Sequence, residues 1–224
     1  DMRTTILVLI AVFSGCAYLI GTAIGADWLR LIAKPWPVLM MAAWVWPSGE
    51  RRIAIGLVFG AIGDICLAVP SAFLPGMVAF AIGHGLYAAA FISWQRRLSA
   101  LLAVPVAIYL ITTVALMLPN TGPLTIPVIF YMGIIGLMLW RAAAVANNDS
   151  DPGFMRWSPL LGALLFGFSD SLIGINKFVT PLPGAAYPII LLYWAGQGLI
   201  AAAAVVRVKM LQQPAPARRP TSTN

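Results

Sequence analysis

Charged side chains are scarce in this sequence, and histidine and cysteine are scarcer. Asp, Glu, Lys and Arg make up 9% of the 224 residues and apolar types 61%, with a mean hydropathy of +0.90. Soluble domains carry about 25% charged residues, so this composition excludes them and points to a polytopic membrane protein. His84 is the only histidine. A protein-built zinc site usually takes three or four His, Cys or carboxylate ligands, so no metal is predicted. Cys16 and Cys66 each fall inside an apolar run, which excludes a disulfide framework. A glycine-rich phosphate loop after a strand and a Gly-x-Ser-x-Gly elbow are both missing, which removes the common nucleotide and serine-hydrolase signatures. The net charge of +7 is no sign of nucleic acid, because the basic residues sit in short groups between apolar runs and form no basic face.

What is abundant is hydrophobic length. A bilayer core takes about 20 apolar residues to cross, and runs near that length cover 5–25, 33–48, 53–70, 73–94, 98–118, 123–146, 157–177 and 185–208. The expected fold is therefore all-α, with eight transmembrane helices. Pro35 and Pro37 crowd the start of the second run and are read as its first turn. The first run is read as a membrane helix in preference to a signal peptide, and Asp1, ahead of Met2, is set aside as an added residue. Eleven basic residues fall on one side of this arrangement: Arg3, Arg51, Arg52, Arg96, Arg97, Arg141, Arg156, Arg207, Lys209, Arg218 and Arg219. Three fall on the other, Arg30, Lys34 and Lys177. The bias places both termini in the cytoplasm and suits a bacterial inner membrane. Residues 212–224, rich in Pro, Ala and Arg, read as a disordered cytoplasmic tail after a single transmembrane domain at 1–211.

The two halves of that domain carry similar signals. Gly83-His84-Gly85-Leu86 in the fourth run matches Gly196-Gln197-Gly198-Leu199 in the eighth, and each is followed by an Ala triplet a few residues on. One run earlier, a small residue precedes an acid in both halves: Gly63-Asp64 and Ser169-Asp170. This predicts repeats at 1–97 and 98–211, each of four helices and so related by an axis along the membrane normal. Asp64 and Asp170 then come to similar depth on facing helices. An acid at membrane depth is a functional-site hypothesis by default, and the plainer alternative is a polar pair holding helices together. Two carboxyls close together in low dielectric do not both ionise cheaply, so one is expected to carry a proton and the other a charge.

Other polar residues fit around such a site. His84 shares a helix face with Tyr87, three residues on. Tyr109, Tyr131, Tyr193 and Gln197 lie within apolar runs, where phenols and amides need partners. Lys34 and Lys177, at the outer ends of the second and seventh runs, either snorkel to headgroups or receive a phosphate at a cavity mouth. Trp28, Trp36, Trp94 and Trp157 read as an interfacial belt.

The sequence resembles the YhhN-like membrane proteins, which include the lysoplasmalogenases. The likeness rests on Lys34-Pro35, Gly60-Ala61-Ile62-Gly63-Asp64, Phe80 with Gly83-His84 and Tyr87 to Phe91, and the block Gly162 to Phe178. That block contains Ser169-Asp170 and Asn176-Lys177-Phe178, and Tyr193 and Gln197 follow it. Trp194 and Gly196 depart from the family pattern. The resemblance implies a hydrolase that cleaves the vinyl ether bond of lysoplasmalogens to a fatty aldehyde and glycerophosphoethanolamine or glycerophosphocholine. With it, Asp64 and Asp170 are the expected catalytic residues, and Lys34, His84, Tyr87, Ser169, Asn176, Lys177, Tyr193 and Gln197 are expected around a lysophospholipid substrate, joined by Tyr109 and Tyr131 because of their place within apolar runs. No cofactor is required by that scheme. The competing expectation is a transporter or lipid-binding membrane protein whose aspartates couple to protons or cations.

Overall fold

In the computed structural model residues 1–212 are described, and among them the chain is helical with no strand. The helices are α1 (Met2–Ile24), α2 (Asp27–Ala33), α3 (Trp36–Val45), α4 (Arg51–Leu67), α5 (Phe73–Trp94), α6 (Ala100–Met117), α7 (Thr125–Ala146), α8 (Gly153–Phe178) and α9 (Ala186–Leu211). Six of them, α1 and α5 to α9, are long and apolar enough to cross a membrane. The protein is thus an integral, multi-pass membrane protein. The predicted tail at 212–224 lies outside the described residues, Gln212 apart.

The second predicted run, 33–48, forms α3 and the short turn Trp46–Ser48, entered through Pro35 and Pro37 as expected, and a further short helix, α2, stands before it and ends at a turn over Lys34-Pro35. Pro35 has no N–H to offer Leu31, and its ring crowds that carbonyl, so a helix running through it would be broken there. At 10 residues α3 spans roughly 15 Å, and the 17-residue α4 roughly 25 Å. Both are short of a bilayer core of about 30 Å. Glycines end α1 and the short turn after α3: Gly25 and Gly49 adopt φ of 70° and 87°, the left-handed conformation that a side chain resists.

Two hairpins, α4–α5 and α8–α9, form the tightest contacts, with α3 and α7 packed beside them and α1 and α6 at the edges. Each hairpin crosses at a pair of glycines. A Cβ on Gly83 would lie 2.9 Å from the Gly56 carbonyl oxygen, and a Cβ on Gly162 would lie 2.8 Å from that of Gly196. Side chains there would push the backbones apart. Most of α1 and α6 is exposed, including Phe13, Leu101 and Ile111, as suits helices facing lipid.

Packing also sorts the helix ends. At one end Arg3 donates to the Ala43 carbonyl, Trp94 to Glu50, and Arg207 pairs with Asp151. Arg141, expected among the loop cations, is buried within α7 and donates to the carbonyls of Gln95 and Arg97 just beyond α5. Those carbonyls lack helical partners, so a buried guanidinium satisfies them. At the opposite end Lys177 lies over the Phe73 ring at 4.2 Å, and Asn120 donates to the Phe178 carbonyl. The candidate site lies toward this second end.

Candidate functional site

Asp64 sits one turn before the end of α4 and is 1% exposed. The glycines before it make its surroundings possible. A Cβ on Gly63 would lie 2.6 Å from the Phe80 ring of α5, and one on Gly60 would lie 2.7 Å from Nε2 of Gln197 on α9. With those faces bare, Tyr193 reaches across from α9 and its hydroxyl donates to Oδ2 of Asp64 at 2.9 Å. Lys34, at the bend between α2 and α3, places Nζ 3.2 Å from Oδ1. The carboxyl therefore has a cation on one oxygen and a phenol on the other.

Asp170 belongs to α8 and is also buried. The Tyr131 hydroxyl on α7 donates to its Oδ2 at 2.5 Å, and Nε2 of His84 on α5 stands 3.8 Å from the same oxygen. Among the described residues no Lys or Arg lies within ion-pair distance of Asp170. His84 is fully buried among aromatic rings, edge-on to Phe166 with centroids 4.3 Å apart and tilted against Tyr131. Neither of its ring nitrogens has a hydrogen-bond partner among the described residues. Ser169 donates to the Ile189 carbonyl at 2.9 Å, tying α8 to the start of α9.

The two carboxyls line one cavity of about 390 Å³, together with Phe80 and Tyr193. Toward its rim are Arg30, Lys34, Asn176 and Lys177. Such a space has a cationic edge, two acids at depth and aromatic walls. It suits an amphipathic anion whose reacting bond lies inside. Residues 29–204 match the model of the YhhN family.

The chain belongs to the YhhN family. Its relatives include the human protein named lysoplasmalogenase TMEM86B, 36% identical over 80% of this chain and 76% of that protein. The bovine lysoplasmalogenase TMEM86A is 39% identical, over 80% and 73% respectively. The lysoplasmalogenase of Mycobacterium bovis is 31% identical over 74% of this chain and 65% of its own length. No solved structure matches the chain.

Not every residue expected at the site of this YhhN-family chain reaches the cavity. Lys34, Ser169, Asn176, Lys177 and Tyr193 line it with the two aspartates, and Tyr131 and His84 contact Asp170 from behind. Tyr87 and Gln197 are buried against each other, the phenol donating to Oε1 at 2.6 Å, one turn away from the acids. Tyr109 serves a different region. Its hydroxyl donates to the Gly167 carbonyl at 2.9 Å and meets Ser171 Oγ at 2.5 Å, beside a separate apolar cavity of about 350 Å³ between α6, α7 and α8. Asn176 accepts the backbone N–H of Leu182 at 2.7 Å. Arg30 and Tyr18 were not foreseen at the cavity. The available signal was spacing, because Arg30 and Lys34 stand four apart, one turn of helix.

Proposed function

We propose that this protein is a membrane hydrolase that cleaves the vinyl ether bond of lysoplasmalogens, releasing a fatty aldehyde and a glycerophospho headgroup. The observation that carries this reading is the cavity in which an ion-paired aspartate and an aspartate with no Lys or Arg partner among the described residues share one space beneath cationic residues. Relatives named lysoplasmalogenase support it.

Asp170 acts as the acid. A buried carboxyl without a counter-cation is costly as a charge, and here it donates its proton to the β-carbon of the vinyl ether. The double-bond electrons form the new C–H bond, and the ether oxygen shares the positive charge left on the α-carbon. Asp64, held by Lys34 and Tyr193, carries the negative charge that stabilises this oxocarbenium ion. Water adds to the α-carbon and gives up a proton to a carboxylate. The hemiacetal then collapses, moving a proton to the departing glycerol oxygen and leaving the aldehyde. The headgroup phosphate lies at Lys177 and Arg30, since Lys34 is engaged with the buried Asp64 whereas the partner of Arg30, Asp27, is exposed.

The finer architecture belongs to the same proposal. The domain at 1–211 crosses the membrane eight times, with α3 and α4 as its short spans, and is built of repeats 1–97 and 98–211. The glycine crossings support the repeat: Gly56 stands eight residues before Asp64 and Gly162 eight before Asp170, and their partners Gly83 and Gly196 head the matching tetrapeptides. Loop charge supports both termini lying in the cytoplasm of a bacterial inner membrane, with the cavity toward the outer leaflet.

The test is aldehyde release from a lysoplasmalogen by the purified protein in heavy water. The expected product carries one deuterium at the carbon next to the aldehyde, and the saturated ether analogue gives none. Absence of aldehyde overturns the reading, as does equal cleavage of both lipids. A transporter would move the lysolipid unchanged.

A further inference from the structure

Next to Asp170 is a second, narrower space of about 40 Å³, lined by residues of α4, α5, α6, α7 and α8. It shares Leu67, Phe73, Phe80, Asp170 and Ile173 with the larger cavity, so the two adjoin at the Asp170 carboxyl. Beyond that carboxyl and the Tyr131 phenol, its walls are apolar, and three of them are methionines: Met77, Met117 and Met132. Followed through the junction at Asp170, the lining passes from cations at Arg30 and Lys177, through the carboxyls, to hydrocarbon, and the slot bends back toward the end where Lys177 lies over Phe73, one of its walls. A lysolipid with a vinyl ether has the same order: phosphate, ether linkage, chain.

We propose that this slot receives the hydrocarbon chain beside the vinyl ether, and that Met117, seated against Gly174, sets how long a chain is accepted. The proposal rests on the hydrolase reading above. At about 40 Å³ the slot has room for only a few water-sized groups, so a chain enters as the walls give way. Methionine is the residue type for this, unbranched and free to change rotamer without moving the backbone. Met117 ends α6, and its sulfur lies where a Cβ on Gly174 of α8 would sit. The missing side chain at 174 is what accommodates the thioether. Restoring a methyl there forces Met117 to move and takes room from the slot, whereas truncating Met117 adds room.

The experiment compares wild type, Met117→Ala, Met132→Ala and Gly174→Ala on lysoplasmalogens of one headgroup and graded chain length. Aldehyde release is read as kcat/KM, and binding of the matching uncleavable saturated ethers is read by thermal stabilisation. Met117→Ala and Met132→Ala are expected to move the optimum to longer chains and Gly174→Ala to shorter ones. Each methylene gained or lost at the limit is worth about tenfold or more. If Gly174→Ala fails to fold, the two widening variants decide. Aldehyde release with the same chain-length profile in both widening variants and wild type overturns the slot and leaves the hydrolase reading standing. A shifted binding profile with no aldehyde from any chain keeps the slot and overturns the hydrolase reading.

Discussion

Asp64 and Asp170 open on one cavity but have different neighbours. Asp64 has Lys34 at 3.2 Å and Tyr193 at 2.9 Å, an environment in which a negative charge is compensated. Asp170 has the Tyr131 phenol at 2.5 Å and a histidine among aromatic rings, with the methionine-lined slot beside it. In the proposed mechanism this difference separates two tasks that one kind of residue can perform, holding charge and delivering a proton. Each acid is also met by a helix from the other hairpin: Asp64 of α4 by Tyr193 of α9, and Asp170 of α8 by His84 of α5. The site therefore exists only where α4–α5 and α8–α9 come together.

The largest expected effect is on chemistry. Asp170→Asn removes the proposed proton donor and should lower kcat by about 10²–10⁴-fold. Asp64→Asn removes the charge and should lower it by about 10²–10³-fold. Both are read as aldehyde release by protein that elutes as wild type does. Full activity in either variant would end the division of roles.

Removing the cation tests the other side of the contrast. Lys34→Met leaves a buried carboxylate unpaired and should destabilise the protein by about 3–5 kcal/mol in thermal or denaturant unfolding. Adding Asp64→Asn to it should restore most of that stability but none of the activity. If Lys34→Met melts as wild type does, Asp64 is no ion-paired group.

The hairpin crossings come next. Gly83→Ala and Gly162→Ala each put a methyl under 3 Å from a facing backbone carbonyl, and each should cost about 1–3 kcal/mol of stability. Similar losses would indicate that the two crossings are mechanically alike, whereas a loss in one alone would make the likeness of the halves superficial.

The smallest effect is expected from the phenols. Tyr131→Phe deletes a hydrogen bond to the proposed acid and should reduce kcat about tenfold, equivalent to ~1.4 kcal/mol. Tyr193→Phe should do less, because Lys34 still holds Asp64. The reverse ranking in a kcat comparison would exchange the roles of the two acids.

Much of the fold was legible along the chain. Apolar length marked the helices, and the predicted 73–94 coincides with α5. The prolines mark the entry of α3 as expected, but the seven-residue α2 is too short for apolar length to mark it. The two aspartates stood out because few acids lie among so many apolar residues. Their partners did not. Lys34 reads as a headgroup anchor or a phosphate receiver at a helix end, whereas it lines the cavity engaged with Asp64. Tyr109 looked equivalent to Tyr131 and lines another cavity. Spacing on a helix says which residues share a face, but not which neighbour that face meets.

Local chemistry, then, was enough to specify a bundle of membrane helices with two acids at depth and a family likeness in the residues around them, because helix formation and the cost of burying a charge are properties of short stretches. Which acid received the lysine was settled by folding alone. Lys34 lies 30 residues from Asp64, and Tyr193 lies 129 residues away. Contacts at that separation depend on how whole helices cross, and the crossings here are set where facing glycines let backbones touch.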